Sequence, residues 1–287
     1  MTSPDSPRPE TGSLREWQKR PAEARAENNQ ARLLENRGRA CHGEGVIDLT
    51  VVLADLRAEG DELESWVVHL PETGWRTPTP AVGWTVAHQV AHLAWTDERA
   101  LLSATDPDGF HAEAAALADG DPQQFVDDGA AAGAGLPVAE LLSRWRSSRE
   151  RLATVLAEVP VGAKLPWYGP PMSATSMATA RIMETWAHAG DVADTLEIQR
   201  KPTARIRHVA HIGVRTRDFA YLVRGLAVPV EQFRIELTAP DGELWVWGPD
   251  DAAQRITGSA HDFCRLVTQR VHRDDTDLVP HQATSAL

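Results

Sequence analysis

The sequence predicts a mainly α fold, a helical bundle followed by a small α/β C-terminal module, and three observations carry that prediction. Apolar residues recur at three- and four-residue steps through successive long segments from Val46 to about residue 225. After Pro229 the period shortens to two, the spacing of half-buried strands. Pro- and Gly-rich stretches separate the periodic segments and set where each ends. With 287 residues, 42% of them hydrophobic, the chain holds enough apolar material for two domains of ordinary size.

Residues 1–44 mix Pro, Glu, Arg, Asn and Gly with few bulky apolar side chains, a composition that buries too little surface to offset the entropy of ordering. They are expected to be a disordered or loosely helical extension. Residues 45–200 are expected to form the bundle. Its first helix carries Ile47, Leu49, Val52, Leu53, Leu56, Leu63, Trp66, Val67 and Leu70 and ends before Pro71. The segment GWRTPTPAVGW, 74–84, has two Thr-Pro steps and reads as a rigid loop that aims the next helix. Thr85 then caps a second helix through TVAHQVAHLAW. Residues 107–135, rich in Asp, Gly and Ala, read as short helices on a mobile surface excursion. PVAELLSRWRSSRERLATVLAEV, 137–159, is an amphipathic helix, and LPWYGPPMS, 165–173, is a second loop leading into the helix that contains ETWAH, 184–188.

Residues 201–287 are expected to hold a linking helix over about 203–225 and the small module. FRIELTA and ELWVWG flank the turn PDG, 240–242, as a β-hairpin; QRITG reads as a third strand and SAHDFCRLVTQRV, 259–271, as a final helix.

Charge and cysteine content exclude several functions. A formal charge of −12 opposes a phosphate backbone, so no nucleic acid is expected as a partner. No run of eighteen apolar residues and no signal peptide is present, so no membrane association and a cytoplasmic location are expected. The two cysteines, Cys41 and Cys264, supply neither a disulfide framework nor a thiolate zinc site and are expected to be reduced.

The chemistry is expected in two helices. Glu184 and His188, four residues apart, project from one helical face and can share a metal; His88 and His92 repeat that spacing, and either supplies a third donor across the bundle. Two imidazoles and a carboxylate suit zinc, and three protein ligands leave one position open for water or substrate. The ordinary explanation of an isolated ExxxH is a surface pair contributing about 0.2–0.5 kcal/mol. Asp191 and Asp194 follow at steps of three, either placed to accept a histidine N–H, with solvated helix-end charge preferred for Asp194. Trp84, Trp95, Trp167, Trp186 and Tyr168 are candidates to line the site or, more ordinarily, to fill the core. Arg205, Arg207, Arg215 and Arg217 read as a solvated face, and His208 and His211 as structural.

GWTVAHQVAHLAW together with METWAHAGDVADTL resembles the actinobacterial relatives of the mycothiol-dependent maleylpyruvate isomerases, within the DinB-like superfamily of four-helix metal proteins. The resemblance spans roughly Val46 to Leu278 and is nearest a metal-binding subfamily whose C-terminal part carries a wyosine-base-formation label. It implies a DinB-like four-helix bundle, with His92 rather than His88 as the first metal ligand and Glu184 and His188 as the others. It also implies that Arg265, in GSAHDFCRLVTQR, stands where the isomerases carry a functionally important arginine. After Leu278 the chain departs from these relatives, with VPHQATSAL in place of a further helix.

The implied cofactors are a divalent metal, Zn2+ first, and mycothiol or a similar low-molecular-weight thiol as cosubstrate. Zinc favours the thiolate, which adds to a small electrophilic substrate and either leaves again, an isomerisation, or stays attached, an S-transfer. A metal-activated water serving hydrolysis and a non-enzymatic metal- or ligand-binding protein are the alternatives. The wyosine label points to tRNA, against which the acidic charge and the lack of clustered cysteines both speak.

Overall fold

A computed structural model describes residues 48–117 and 120–282. The expected extension over residues 1–44, and Cys41 with it, lies outside the described residues. The first helix, α1, runs Leu49–Val67, and the Asp48 side chain caps it by accepting from Thr50 N at 2.9 Å. Its Val52, Leu53, Leu56, Leu63 and Val67 are buried, one stripe at helical spacing. A single-turn helix, α2 (Glu72–Trp75), buries Trp75 inside the first Pro/Gly loop. That loop is closed by a bridge between Pro78 and Thr85, which delivers the chain into α3, Val86–Thr105. Helix α6 (Val138–Glu158) and helix α7 (Ala174–Thr195, capped by Ser173) complete a four-helix bundle with α1 and α3.

Between α3 and α6 the chain forms α4, Pro107–Ala116, and α5, Pro122–Ala134, each started by an Asp cap and a Pro in the first turn. The expected surface excursion is therefore part of the packed body: Phe110 is fully buried and α5 lies along α3. Its small residues are what permit the contact. A Cβ on Gly129 would stand 2.6 Å from the Trp95 ring, and one on Gly133 would stand 2.7 Å from Ala91 Cβ. Composition that reads as loop-like serves close helix-to-helix approach.

The expected linking helix is broken in two, α8 (Ile206–Arg215) and α9 (Arg217–Val223). The break falls at Thr216, whose backbone at φ −93° and ψ 3° leaves helical geometry while its amide and hydroxyl both bond Ile212 O, at 2.9 and 2.8 Å. Strands β1 (Phe233–Thr238) and β2 (Leu244–Trp247) form the expected antiparallel hairpin, with Gly242 at φ 90° in its turn. Strand β3, Gln254–Ser259, runs parallel to β1 and leads directly into α10, Ala260–Val267. The departure after Leu278 is a fourth strand, β4 (Val279–Gln282), antiparallel to β3, so the sheet order is β2-β1-β3-β4. One apolar cluster runs from Val52, Leu152 and Ile182 through Trp186, Ile206 and Val209 to Leu237, Trp245 and Phe263, joining bundle to sheet. No described helix is long and apolar enough to cross a membrane.

Two polar groups inside the bundle are charge-matched. Arg181 on α7 donates through Nε to Asp97 Oδ1 on α3 at 2.8 Å, with only 2% and 5% of the two residues exposed. Glu59 and Glu62 of α1 face Arg200 and Arg205, Arg205 Nε donating to Glu59 Oε2 at 2.7 Å. The expected solvated arginine face is thus corrected in part: Arg205 belongs to this cluster and Arg217 lies 4.4 Å over the Phe233 ring, whereas Arg207, 5.7 Å over Trp245, and Arg215 are both exposed. Each guanidinium presents a flat, weakly hydrated surface that stacks or forks as a lysine would not. His208 holds Asp55 of α1 at 2.8 Å, and His211 Nδ1 accepts from Trp247 Nε1 at 3.4 Å.

Candidate metal centre

Helices α3 and α7 pack against each other and turn three side chains onto one point. His92 Nε2 lies 3.1 Å from Glu184 Oε2, and His188 Nε2 lies 3.4 Å from the same oxygen. The two imidazole centroids are 4.5 Å apart, and one ligand atom from each of the three residues falls within 4.8 Å of the others. His92 and His188 are nearly enclosed, whereas the Glu184 side chain keeps 30% of its surface accessible. The centre therefore has closed walls and an open side at the carboxylate.

His88 is not part of this group. Its Nδ1 accepts from Thr85 N at 3.3 Å and sits 2.9 Å from Thr85 Oγ1, so it closes the exposed N-terminus of α3 in the manner of a capping-box side chain. Of the two histidines on this helix, one is spent on the helix end and the other is one turn deeper.

The electrostatics favour an ionised Glu184 and a neutral His188. Burial acts to raise the Glu184 carboxyl, but the hydrogen bonds and charges of His188 and His92 outweigh it and hold it well below the usual carboxylate range. Burial lowers His188, against the opposing pull of Glu184. His188 Nδ1 is 2.5 Å from Gln89 Oε1, which can only accept, so the ring proton sits on Nδ1 and the Nε2 lone pair faces the carboxylate. His92 Nδ1 is buried without a protein hydrogen-bond partner, and the one protein acceptor on that ring is Glu184 Oε2, 3.1 Å from Nε2.

Aromatic rings surround the centre unequally. Trp84 stacks on His188 at 5.8 Å and meets His92 at 5.3 Å, its indole N–H tied to Asp127 of α5 at 3.1 Å. Trp95 flanks His92 at 6.2 Å and continues through Phe125 to Tyr168. Trp167 instead stacks on Phe110, and Trp186 meets His261 and Arg200. Burial, then a hydrogen bond to Glu113, push the Tyr168 phenol up.

Asp191 is buried and engaged by Arg270, which follows α10: Arg270 Nε and Nη2 donate to its two oxygens at 3.2 and 2.8 Å, while Asp191 Oδ2 lies 3.7 Å from His188 Nδ1. Asp194 is exposed. Arg265 lies half-buried on α10, and its charge lowers His261 after burial has done most; the arginine acting on His188 is Arg270. Burial pushes the Cys264 thiol up and removes it from thiolate chemistry. Sequence reasoning missed Gln89, Thr79 and Arg270. The available signal for Gln89 was its place one turn before His92, an uncharged polar residue on an otherwise apolar face.

A four-helix bundle with two imidazoles and a carboxylate facing inward from two helices defines a class of bundle proteins with a potential metal centre. A family model described as mycothiol maleylpyruvate isomerase N-terminal domain matches residues 56–193, and one described as wyosine base formation matches 229–280. Two uncharacterized proteins of Mycobacterium tuberculosis, from two strains, are each 58% identical over 218 residues, covering 76% of this chain and 84% of their own. The crystal structure of the mycothiol-dependent maleylpyruvate isomerase is similar in fold, with a TM-score of 0.54 and 17% identity over 82% of this chain and 93% of that one. The chain belongs to the same family as these two mycobacterial proteins, and its bundle carries the mycothiol maleylpyruvate isomerase N-terminal domain.

Proposed function

We propose that this protein is a zinc-dependent enzyme that uses mycothiol or a similar low-molecular-weight thiol for isomerisation of, or S-transfer to, a small electrophilic substrate. The observation that carries the reading is the convergence of His92, Glu184 and His188. Their 3.1 and 3.4 Å separations match the edge of a tetrahedron around an ion with bonds of about 2.0–2.1 Å, which is about 3.3 Å. The donor set fits as well. His188 already presents a lone pair to an anionic oxygen, a contact that a cation between them turns from repulsive to attractive.

When bound, zinc supplies a Lewis acid that favours the thiolate form of an incoming thiol. The chain's own residues do the rest. His92, Glu184 and His188 hold the ion, Trp84 covers both imidazoles and keeps water from that side, and the accessible edge of Glu184 marks the approach for thiol and electrophile. No described protein thiol suits the role of nucleophile, since Cys264 is fully buried with its thiol held high. Arg265 is the candidate catalytic arginine, by family resemblance.

Elemental analysis of the purified protein, followed by a thiol-adduct screen against small electrophiles, tests the proposal. One divalent metal per chain and thiol-dependent turnover are expected, both lost in Glu184→Gln, with turnover alone reduced in Arg265→Ala. Protein that takes up no zinc, or turns over electrophiles equally well without thiol, overturns it.

A further inference from the structure

We propose that Gln89 is the positioning residue that fixes the tautomer of His188, and with it the aim of the His188 Nε2 lone pair at the metal centre, through a relay anchored on the backbone carbonyl of Trp84. The inference concerns the side of the ring away from the metal and draws on the proposed function only where zinc is measured.

The direction of the relay follows from its fixed end. The Trp84 carbonyl can only accept, so the Thr79 hydroxyl 3.1 Å away donates to it. A Thr79 lone pair then accepts from Gln89 Nε2 at 2.8 Å, which orients the amide. Its Oε1 is left facing His188 Nδ1 at 2.5 Å, and an amide oxygen only accepts, so Nδ1 must carry the ring proton. In the neutral imidazole that leaves the lone pair on Nε2, 3.4 Å from Glu184 Oε2. Gln89 is fully buried, so no solvent rearrangement competes with this order.

The relay reaches across the fold. Thr79 and Trp84 belong to the Pro/Gly loop, whose Thr79 N also donates to Trp84 O at 2.8 Å and whose Pro78 bridges Thr85. A loop of restricted backbone thus sets the proton position of a ring on α7. The competing acceptor is Asp191, at 3.7 Å from the same Nδ1. Its carboxylate is forked by Arg270 Nε and Nη2, so the sheet-bearing part of the chain holds it in an arrangement that leaves His188 to the neutral amide. A neutral partner orients the ring without adding a second anion behind it.

Nitrogen-15 NMR of the imidazoles in metal-free protein, together with Zn2+ titration against a chromophoric chelator, tests this. Wild type is expected to show His188 protonated at Nδ1 and bare at Nε2. Gln89→Leu is expected to lose that preference and to bind Zn2+ about 10- to 100-fold more weakly. Gln89→Glu, which keeps an acceptor, is expected to retain both the tautomer and near wild-type affinity, a rescue that mere packing would not give. A wild-type His188 protonated at Nε2, or unchanged Zn2+ affinity in a folded Gln89→Leu, overturns the inference. Should Gln89→Leu fail to fold, Thr79→Val removes the relay with Gln89 in place; a weakened tautomer preference supports the inference and an unaltered one overturns it. If wild type binds no Zn2+, the proposed function fails and the tautomer alone decides the role of Gln89.

Discussion

The two ends of the charge inventory inside the bundle are built on opposite terms. Asp97 meets Arg181, and Glu59 with Glu62 meets Arg200 with Arg205, so each buried carboxylate has a guanidinium from this chain. Glu184 meets two imidazoles, and among the described residues no arginine or lysine forms an ion pair with it. A matched cluster is complete and holds helices together. A carboxylate held only by imidazoles has no permanent cation from this chain, which is the arrangement the proposed metal would complete.

The sharpest test of that contrast is to remove one partner from each kind of cluster. Arg181→Ala leaves Asp97 buried without its cation and is expected to cost about 3–5 kcal/mol in chemical denaturation. Glu184→Gln removes a group with no matched cation, so the metal-free stability is expected to move by less than about 1 kcal/mol, within the range of a single hydrogen bond. What that variant should lose is the gain from metal: at Zn2+ a hundredfold above its dissociation constant, wild type rises by about 2.7 kcal/mol and Glu184→Gln does not. Equal losses in the two metal-free variants would erase the contrast.

A smaller effect is expected with pH. Burial first of all lowers His88, His188 and His261 below the ordinary imidazole range. The unfolded chain therefore takes up their protons first as pH falls. Stability is full above about pH 6.5 and declines as pH drops below it toward the folded values. Thermal melts of metal-free protein across that range should show the decline, and Zn2+ should steepen it, since protons compete for the same nitrogens. A flat profile would mean that these rings are not held neutral by the fold.

The architecture was largely legible because burial writes a period into the sequence. The stripe from Val52 to Val67, the alternation in FRIELT and the cap at Thr85 are local signals, and each lies in or beside the element it announces. Glu184 and His188 were legible for the same reason, four residues apart on one helix. What stayed hidden depends on distance along the chain. Gln89 and His188 are 99 residues apart, Arg270 and Asp191 are 79, and no periodicity connects them. The packing of α5 was missed because Gly129 and Gly133 look the same in a loop as in a tight helix contact. Strand β4 was missed because its Val-Pro-His-Gln is too short to alternate, and it exists only as an addition to β3.

The use of His88 as an end-cap has a consequence for register. A helix with imidazoles at two positions one turn apart offers an incoming ion two rival seats, about 6 Å from each other along the axis. Tying Nδ1 of the outer ring into the start of the helix takes that nitrogen out of competition, so under the proposed metal role the inner seat beside Glu184 is the favoured one.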